Sequence, residues 1–262
     1  MEHYSVESNL IDAKKGKSMG TTQFLSEEYP SAGSFKQLLA QFPEDVLAKR
    51  YLLTGVPHIF KDHPLQYISF CETVSRNLDL GSHDVAVIGS TRIGYSLAPD
   101  KFGTPVKPGS DVDTVIVSEH LFKQGAFEVL RWLANCGPDV PYGDEAKDAE
   151  ENIELDTDEW GRLKSAARNI CNGYIAPNLL PDDSDYKQRI FGATNEVATQ
   201  LLAMKPPGPV WKVRCRIFRS WKEAESHYAS SLRHLKRDLG VGGGHNHILD
   251  EVPEVESGAS KK

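Results

Sequence analysis

Apolar residues in this chain recur mostly at helical intervals, broken by short runs that read as strands. Residues 1–30 carry no such pattern; polar and rich in Gly and Ser, they are expected to form a loosely held arm. Phe35, Leu38, Leu39 and Phe42 begin the first helix, with Ser34 as its expected cap. Pro43 suits the first turn of a second helix, which carries Val46, Leu47, Tyr51 and Leu52 towards Gly55. Pro57 breaks it, and His63-Pro64 opens a third, with Tyr67, Phe70, Cys71, Val74 and Leu78 on one side. Asp84-Val85-Ala86-Val87-Ile88 then reads as a short apolar strand running into Gly89-Ser90.

After a helical turn at Thr91–Tyr95 and a Gly- and Pro-rich loop reaching Gly109, the stretch from Asp111 to Val117 alternates polar and β-branched residues, as a second strand does. Leu121, Phe122, Phe127, Val129, Leu130 and Leu133 form a broad apolar stripe on a helix over 121–136. An acidic segment about 139–159 follows, then helices over 158–172 and 184–204, a stop at Pro206-Pro207-Gly208-Pro209, a third strand over 210–218 and a last helix over 220–239. The expected fold is α/β (or α+β): one domain over 31–239, with a small mixed sheet and a helical C-terminal half, its core motifs lying within 84–118. The tail over 240–262, with its run of glycines, is expected to be disordered.

Composition adds exclusions. No apolar run approaches the roughly 20 residues of a membrane helix, and the N-terminus opens no basic-then-apolar signal pattern. Cys71, Cys136, Cys171 and Cys215 are far apart and form no C-x-x-C pair, which excludes a disulfide framework and points to a cytoplasmic protein with Cys71 and Cys215 buried. The net charge of −7 argues against wholesale coating of nucleic acid, but the charge is uneven. Ten acids face one Lys between Asp139 and Glu159, whereas eight Lys and Arg face Glu223 and Glu225 between Lys212 and Arg237. These stretches are solvated faces that attract one another within the fold, or the basic one meets phosphate.

The chemistry concentrates between Val85 and Val117. Glycine at the end of a strand lets backbone N–H groups approach an anion, and Ser90 adds a hydroxyl donor. Period-two alternation places Asp111 and Asp113 on one face of the second strand. Two adjacent carboxylates repel unless something positive lies between them, and Mg²⁺ held by such a pair takes phosphate oxygens as its further ligands. Arg92 is read either as a triphosphate contact or as a surface charge. Other motifs fall short: Gly89 to Ser96 nearly fits a P-loop but has Tyr95 where the lysine belongs, and Thr91 replaces the second glycine of a dinucleotide turn. His245 and His247 lack partner ligands in the sequence.

Ile88-Gly89-Ser90 followed by Ser110-Asp111-Val112-Asp113 resembles the signature of the DNA polymerase β-like nucleotidyltransferase superfamily. The wider stretch from Val87 to Asp113 is similar to a bacterial branch related to cyclic-oligonucleotide synthases and to nucleotidyltransferases of toxin–antitoxin and phage-defence loci. The likeness covers about residues 50 to 120. It implies that Gly89 and Ser90 bind a nucleoside triphosphate, with Arg92 the further candidate named above, and that Asp111 and Asp113 are catalytic and hold Mg²⁺ or Mn²⁺. It further implies transfer of a nucleoside monophosphate to a nucleotide, a nucleic-acid end or a protein hydroxyl, in a bacterial defence setting with a partner protein. Active members of that superfamily commonly add a third carboxylate from a later strand. Here the later strand offers Arg214 and Arg216, and Glu154, Asp156 and Asp158 lie in the acidic segment. That departure raises a second expectation, a catalytically degenerate fold that senses nucleotides or binds a partner. A third is single-strand nucleic-acid binding through the basic C-terminal half.

Overall fold

The structure, a computed structural model, describes residues 27–107, 109–135, 157–203 and 212–241. The arm through residue 26, most of the acidic segment, the Pro-rich stop and the tail from residue 242 lie outside the described residues, as do Cys136, Trp211, Glu154 and Asp156.

The fold is a mixed α/β arrangement whose C-terminal half is helical, built on one four-stranded sheet of order β1-β2-β4-β3. β1 (Val85–Ile88) runs antiparallel to β2 (Val112–Val117), β2 runs parallel to β4 (Val213–Phe218), and β3 (Tyr174–Ile175) runs antiparallel to β4. The first, second and fourth strands occur where alternation and β-branched runs place them. β3 is a two-residue strand that periodicity does not reveal, because so short an element carries no period.

Alternation along the strands divides the sheet into two faces. Val85, Val87, Val112, Ile116, Cys215 and Ile217 share one core with four helices: α3 (Pro64–Leu78), α5 (Glu119–Asn135), α6 (Thr157–Cys171) and α7 (Asp185–Ala203). Ile88, Val115, Val117 and Phe218 share the other with α1 (Ala32–Gln41), α2 (Glu44–Leu47), the π-helical turn Ala48–Leu53 that continues α2, and α8 (Trp221–Asp238). On this second face the helices cover the C-terminal halves of β2 and β4. The row on β2 reads Asp113, Val115, Val117 and that on β4 reads Arg214, Arg216, Phe218, so the charged positions collect at the end the helices leave open.

Several helix ends differ from expectation. Ser31, not Ser34, caps α1: its backbone is extended and its hydroxyl accepts the Ser34 N–H at 3.1 Å. Pro43 precedes the second helix instead of entering its first turn. On α5 the buried side is Leu121, Phe122, Val129 and Trp132, whereas Phe127, Leu130 and Leu133 face solvent. The expected stripe was too broad, because α5 packs on the sheet along one narrow side and Gly125 lets Tyr186 and Ile175 approach its backbone. Burial pushes the Cys71 thiol up to about 11 and the Cys215 thiol up to about 12, so both are packing residues and not nucleophiles at neutral pH. Among the described residues no helix is long and apolar enough to cross a membrane.

Arg92 lies on the short helix α4 (Ser90–Ile93), and its side chain is 2% exposed. Its guanidinium donates to the carbonyls of Thr54 and Val56, joining α4 to the chain that leaves the π-helical turn. Tyr29 donates to the same Val56 carbonyl at 3.0 Å. Arg92→Met would remove both charge-assisted bonds and strand carbonyls in a half-buried seam, lowering unfolding free energy by about 2–4 kcal/mol. Urea denaturation checks this; a variant as stable as the parent would show that the seam does not depend on Arg92.

Candidate functional site

The antiparallel register pairs Ile88 with Asp113, so the residue after Ile88, Gly89, lies against the Asp113 side chain. Gly89 has a φ of +71°, a conformation that favours glycine, and a Cβ placed there would come within 2.9 Å of Asp113 Oδ2. The strand-ending turn and the carboxylate therefore share one space and do not point apart. Ser90 follows as the first residue of α4, half-buried, and among the described residues its hydroxyl has no hydrogen-bond partner. Gly89 and Asp113 are thus brought together, with Ser90 next in the chain.

Arg92 does not join them. Its guanidinium is spent on the Thr54 and Val56 carbonyls, which excludes the triphosphate contact weighed for it. The reason is local: a helix turn as short as Ser90–Ile93 sends Arg92 to the side opposite Ser90, into the interior. In the loop over 97–109, Lys101 is exposed beside Asp100 at 3.9 Å.

Asp111 lies just before β2 and pairs with Arg214 of β4 at 2.8 Å. Arg214 is 62% exposed and Asp111 31% exposed, so this is a solvent-accessible ion pair, worth about 0–1 kcal/mol by itself. In the parallel register Arg214 is also the partner of Asp113, and Arg216 follows two residues on along the same face. Arg216 donates to the Tyr228 hydroxyl at 3.4 Å. The two acids at the start of one strand thus face two guanidinium groups at the start of its parallel neighbour.

Burial raises the Asp113 carboxyl above the usual carboxylate range; Arg216 and Arg214 pull it back down, and Asp111 adds to the rise. The same enclosure acts on α8. Burial, helped by Arg216, lowers the His227 imidazole to about 4, and burial raises the Tyr228 phenol to about 12 against the pull of Arg216. Both side chains are neutral at physiological pH, and the charge of this corner resides in Asp111, Asp113, Arg214 and Arg216.

Asp111 and Asp113 are the carboxylates of this corner, and both lie beside guanidinium groups. Among the described residues no group of three or more His, Cys, Asp or Glu is arranged to hold a metal ion. The strand beside β2 presents arginines where a further acid would complete such a site, and Asp111 already holds Arg214. Glu154 and Asp156 lie outside the described residues, as does the side chain of Asp158. The sequence shows Arg-x-Arg as plainly as Asp-x-Asp. What it does not show is that the two period-two patterns stand on adjacent parallel strands in matching register.

Part of the basic stretch is engaged within the fold, and its acids pair as well. Arg219 pairs with Glu223, Lys236 with Glu44 at 2.8 Å, and Glu225 with Lys49 at 3.0 Å. Phe218, one of the aromatics interleaved with these arginines, faces the core and is fully buried. Comparison of the chain with protein-family models, with curated proteins and with solved structures gives no match.

A carboxyl whose pKa is raised on folding binds its proton more tightly in the native state. Below the unfolded value of about 3.9 both states are protonated and there is no cost; as pH rises through the unfolded and then the folded pKa, stability is lost. Asp113→Asn is therefore expected to be more stable than the parent at pH 7, with the advantage shrinking as pH falls towards 4 and below. Thermal unfolding across pH 3–8 measures this. A variant less stable at pH 7 would mean that the carboxylate clamps the arginines instead of being a burden to the fold.

Proposed function

We propose that this chain is a nucleotidyltransferase-like, nucleotide-binding module in which arginines, in place of two metal ions, balance the Asp111 and Asp113 carboxylates. It binds a nucleoside triphosphate without transferring the nucleotidyl group. The observation that carries this reading is the parallel register setting Arg214 beside Asp113, together with the Arg214–Asp111 ion pair. A divalent ion bound to Asp111 would share that carboxylate with the Arg214 guanidinium, 2.8 Å from its Oδ2, and meet its like charge. Phosphate, by contrast, is a natural ligand for Arg214, which is largely exposed and has a planar fork of donors to share. The free Ser90 hydroxyl and the close backbone approach at Gly89 supply the remaining polar surface.

The competing reading is the Mg²⁺- or Mn²⁺-dependent transfer that the motif resemblance implies, in a defence setting, to a nucleotide, a nucleic-acid end or a protein hydroxyl. One observation favours it: Gly89 lies against Asp113, which sets a carboxylate where a phosphate-bound metal would need one. Single-strand binding through the basic half is less favoured, since Arg219 and Lys236 are paired within the fold.

Incubation with labelled nucleoside triphosphates and Mg²⁺ or Mn²⁺, with nucleotide, oligonucleotide and protein acceptors, separates the two. The expected outcome is binding without pyrophosphate release, weakened about tenfold or more in Arg214→Ala by loss of a charge-assisted contact. Pyrophosphate release that disappears in Asp111→Ala/Asp113→Ala would establish transfer and overturn the proposal.

A further inference from the structure

Beyond the carboxylate pair, a cleft of about 200 Å³ continues along β4, and its wall runs from Ile88 and Asp113 to Asn169, Tyr174 and Asn178. It exists because β3 stops early. Ile175 pairs with Ile217, and the same register continued would set Pro177 opposite Cys215. Proline has no N–H to give, and the chain turns away into the 3₁₀ segment Pro177–Leu179. The ladder to β2 is anchored by the Lys212 and Phe218 carbonyls, which accept Val112 N–H at 2.8 Å and Ser118 N–H at 2.9 Å. Alternation along a parallel pair then turns the Cys215 amide and carbonyl away from β2, towards the cleft. Thr114 also lies in this wall; it is 1% exposed, and its hydroxyl has no partner among the described residues. Buried hydroxyls nearly always have one.

The chemistry of the wall selects among ligands. Apart from Arg214, which the phosphate reading uses, the charged groups of the wall are Asp113 and Arg216, and their charges act on one another. What remains are neutral groups that both donate and accept: two amides, a lone hydroxyl and strand-edge backbone. Tyr174 adds an aromatic ring fixed against Phe218 at 5.3 Å and His227 at 4.9 Å. The volume is below the roughly 300 Å³ at which pockets for whole drug-sized ligands begin, and suits one planar ring system. The cleft wall includes Ile88, the residue before Gly89, and Asp113, against which Gly89 lies.

We infer that this cleft is a nucleobase subsite, taking the base whose phosphates meet Ser90 and Arg214 and reading its edge with Asn169 and Asn178. The inference rests on the nucleotide-binding reading above and adds selectivity to it. The base belongs to a free nucleotide or to the end of a single strand, which present the same ring.

Calorimetric titration of the full chain tests it, using the four ribonucleoside triphosphates, inorganic tripolyphosphate and single-stranded homotetranucleotides of each base. One base is expected to bind about tenfold tighter than the others, the discrimination a good bidentate edge contact supplies. Asn178→Ala, at an exposed position the fold does not need, should abolish that preference and leave tripolyphosphate binding unchanged. A preference seen among triphosphates identifies the free nucleotide as the source; one seen only among tetranucleotides identifies a strand end, and both support the subsite. Four bases binding alike, with Asn178→Ala inert and Ser90→Ala weakening all four, would remove the subsite and leave the phosphate site standing. If neither triphosphates nor tripolyphosphate bind, the nucleotide reading itself fails.

Discussion

The organisation of this protein depends on the parallel pairing of β2 with β4. That pairing joins a strand beginning with two acids to a strand beginning with two arginines, in a register that sets Arg214 beside Asp113. Further along the same strands the partners are apolar, and helices seal them on both faces. One ladder therefore provides both the core and the charged corner at its open end. Opposite charges on neighbouring strands favour this register over a slipped one.

Charge in that corner is mutually satisfied but not freely accommodated. Burial raises Asp113 while the arginines lower it, and the net rise means that the carboxylate is kept at some cost to the fold. Gly89 adds a second constraint, since its positive φ and its contact with Asp113 leave no room for a side chain. A carboxylate held against its own preference and a buried threonine hydroxyl unpartnered among the described residues are what the proposed ligand site rests on. Arg92 shows the contrary case, a cation close in sequence whose work is structural.

Much of the architecture was legible in the sequence. Alternation located β1, β2 and β4, helical spacing located the long helices, and the Gly89-Ser90 and Asp-x-Asp patterns located the corner. Arg92 was ambiguous because sequence distance from Ser90 says little about direction on a single helical turn. β3 has no periodicity because it is two residues long, and the cleft that arises where Pro177 ends that strand leaves no local pattern either. The arginines were visible as residues, but their meaning depends on strand order. Strand order is set by long-range packing across the more than ninety residues between β2 and β4, which local pattern does not encode.

On the proposed reading, Arg214 and Arg216 do for the aspartates what metal ions would otherwise do. Mn²⁺ binding followed by electron paramagnetic resonance, in the parent chain and in Arg214→Glu, addresses it directly. Weak binding is expected in the parent and at least about a tenfold gain in the variant, where a repelling charge becomes a third carboxylate. Tight Mn²⁺ binding by the parent, left unchanged by Arg214→Glu, would contradict that reading.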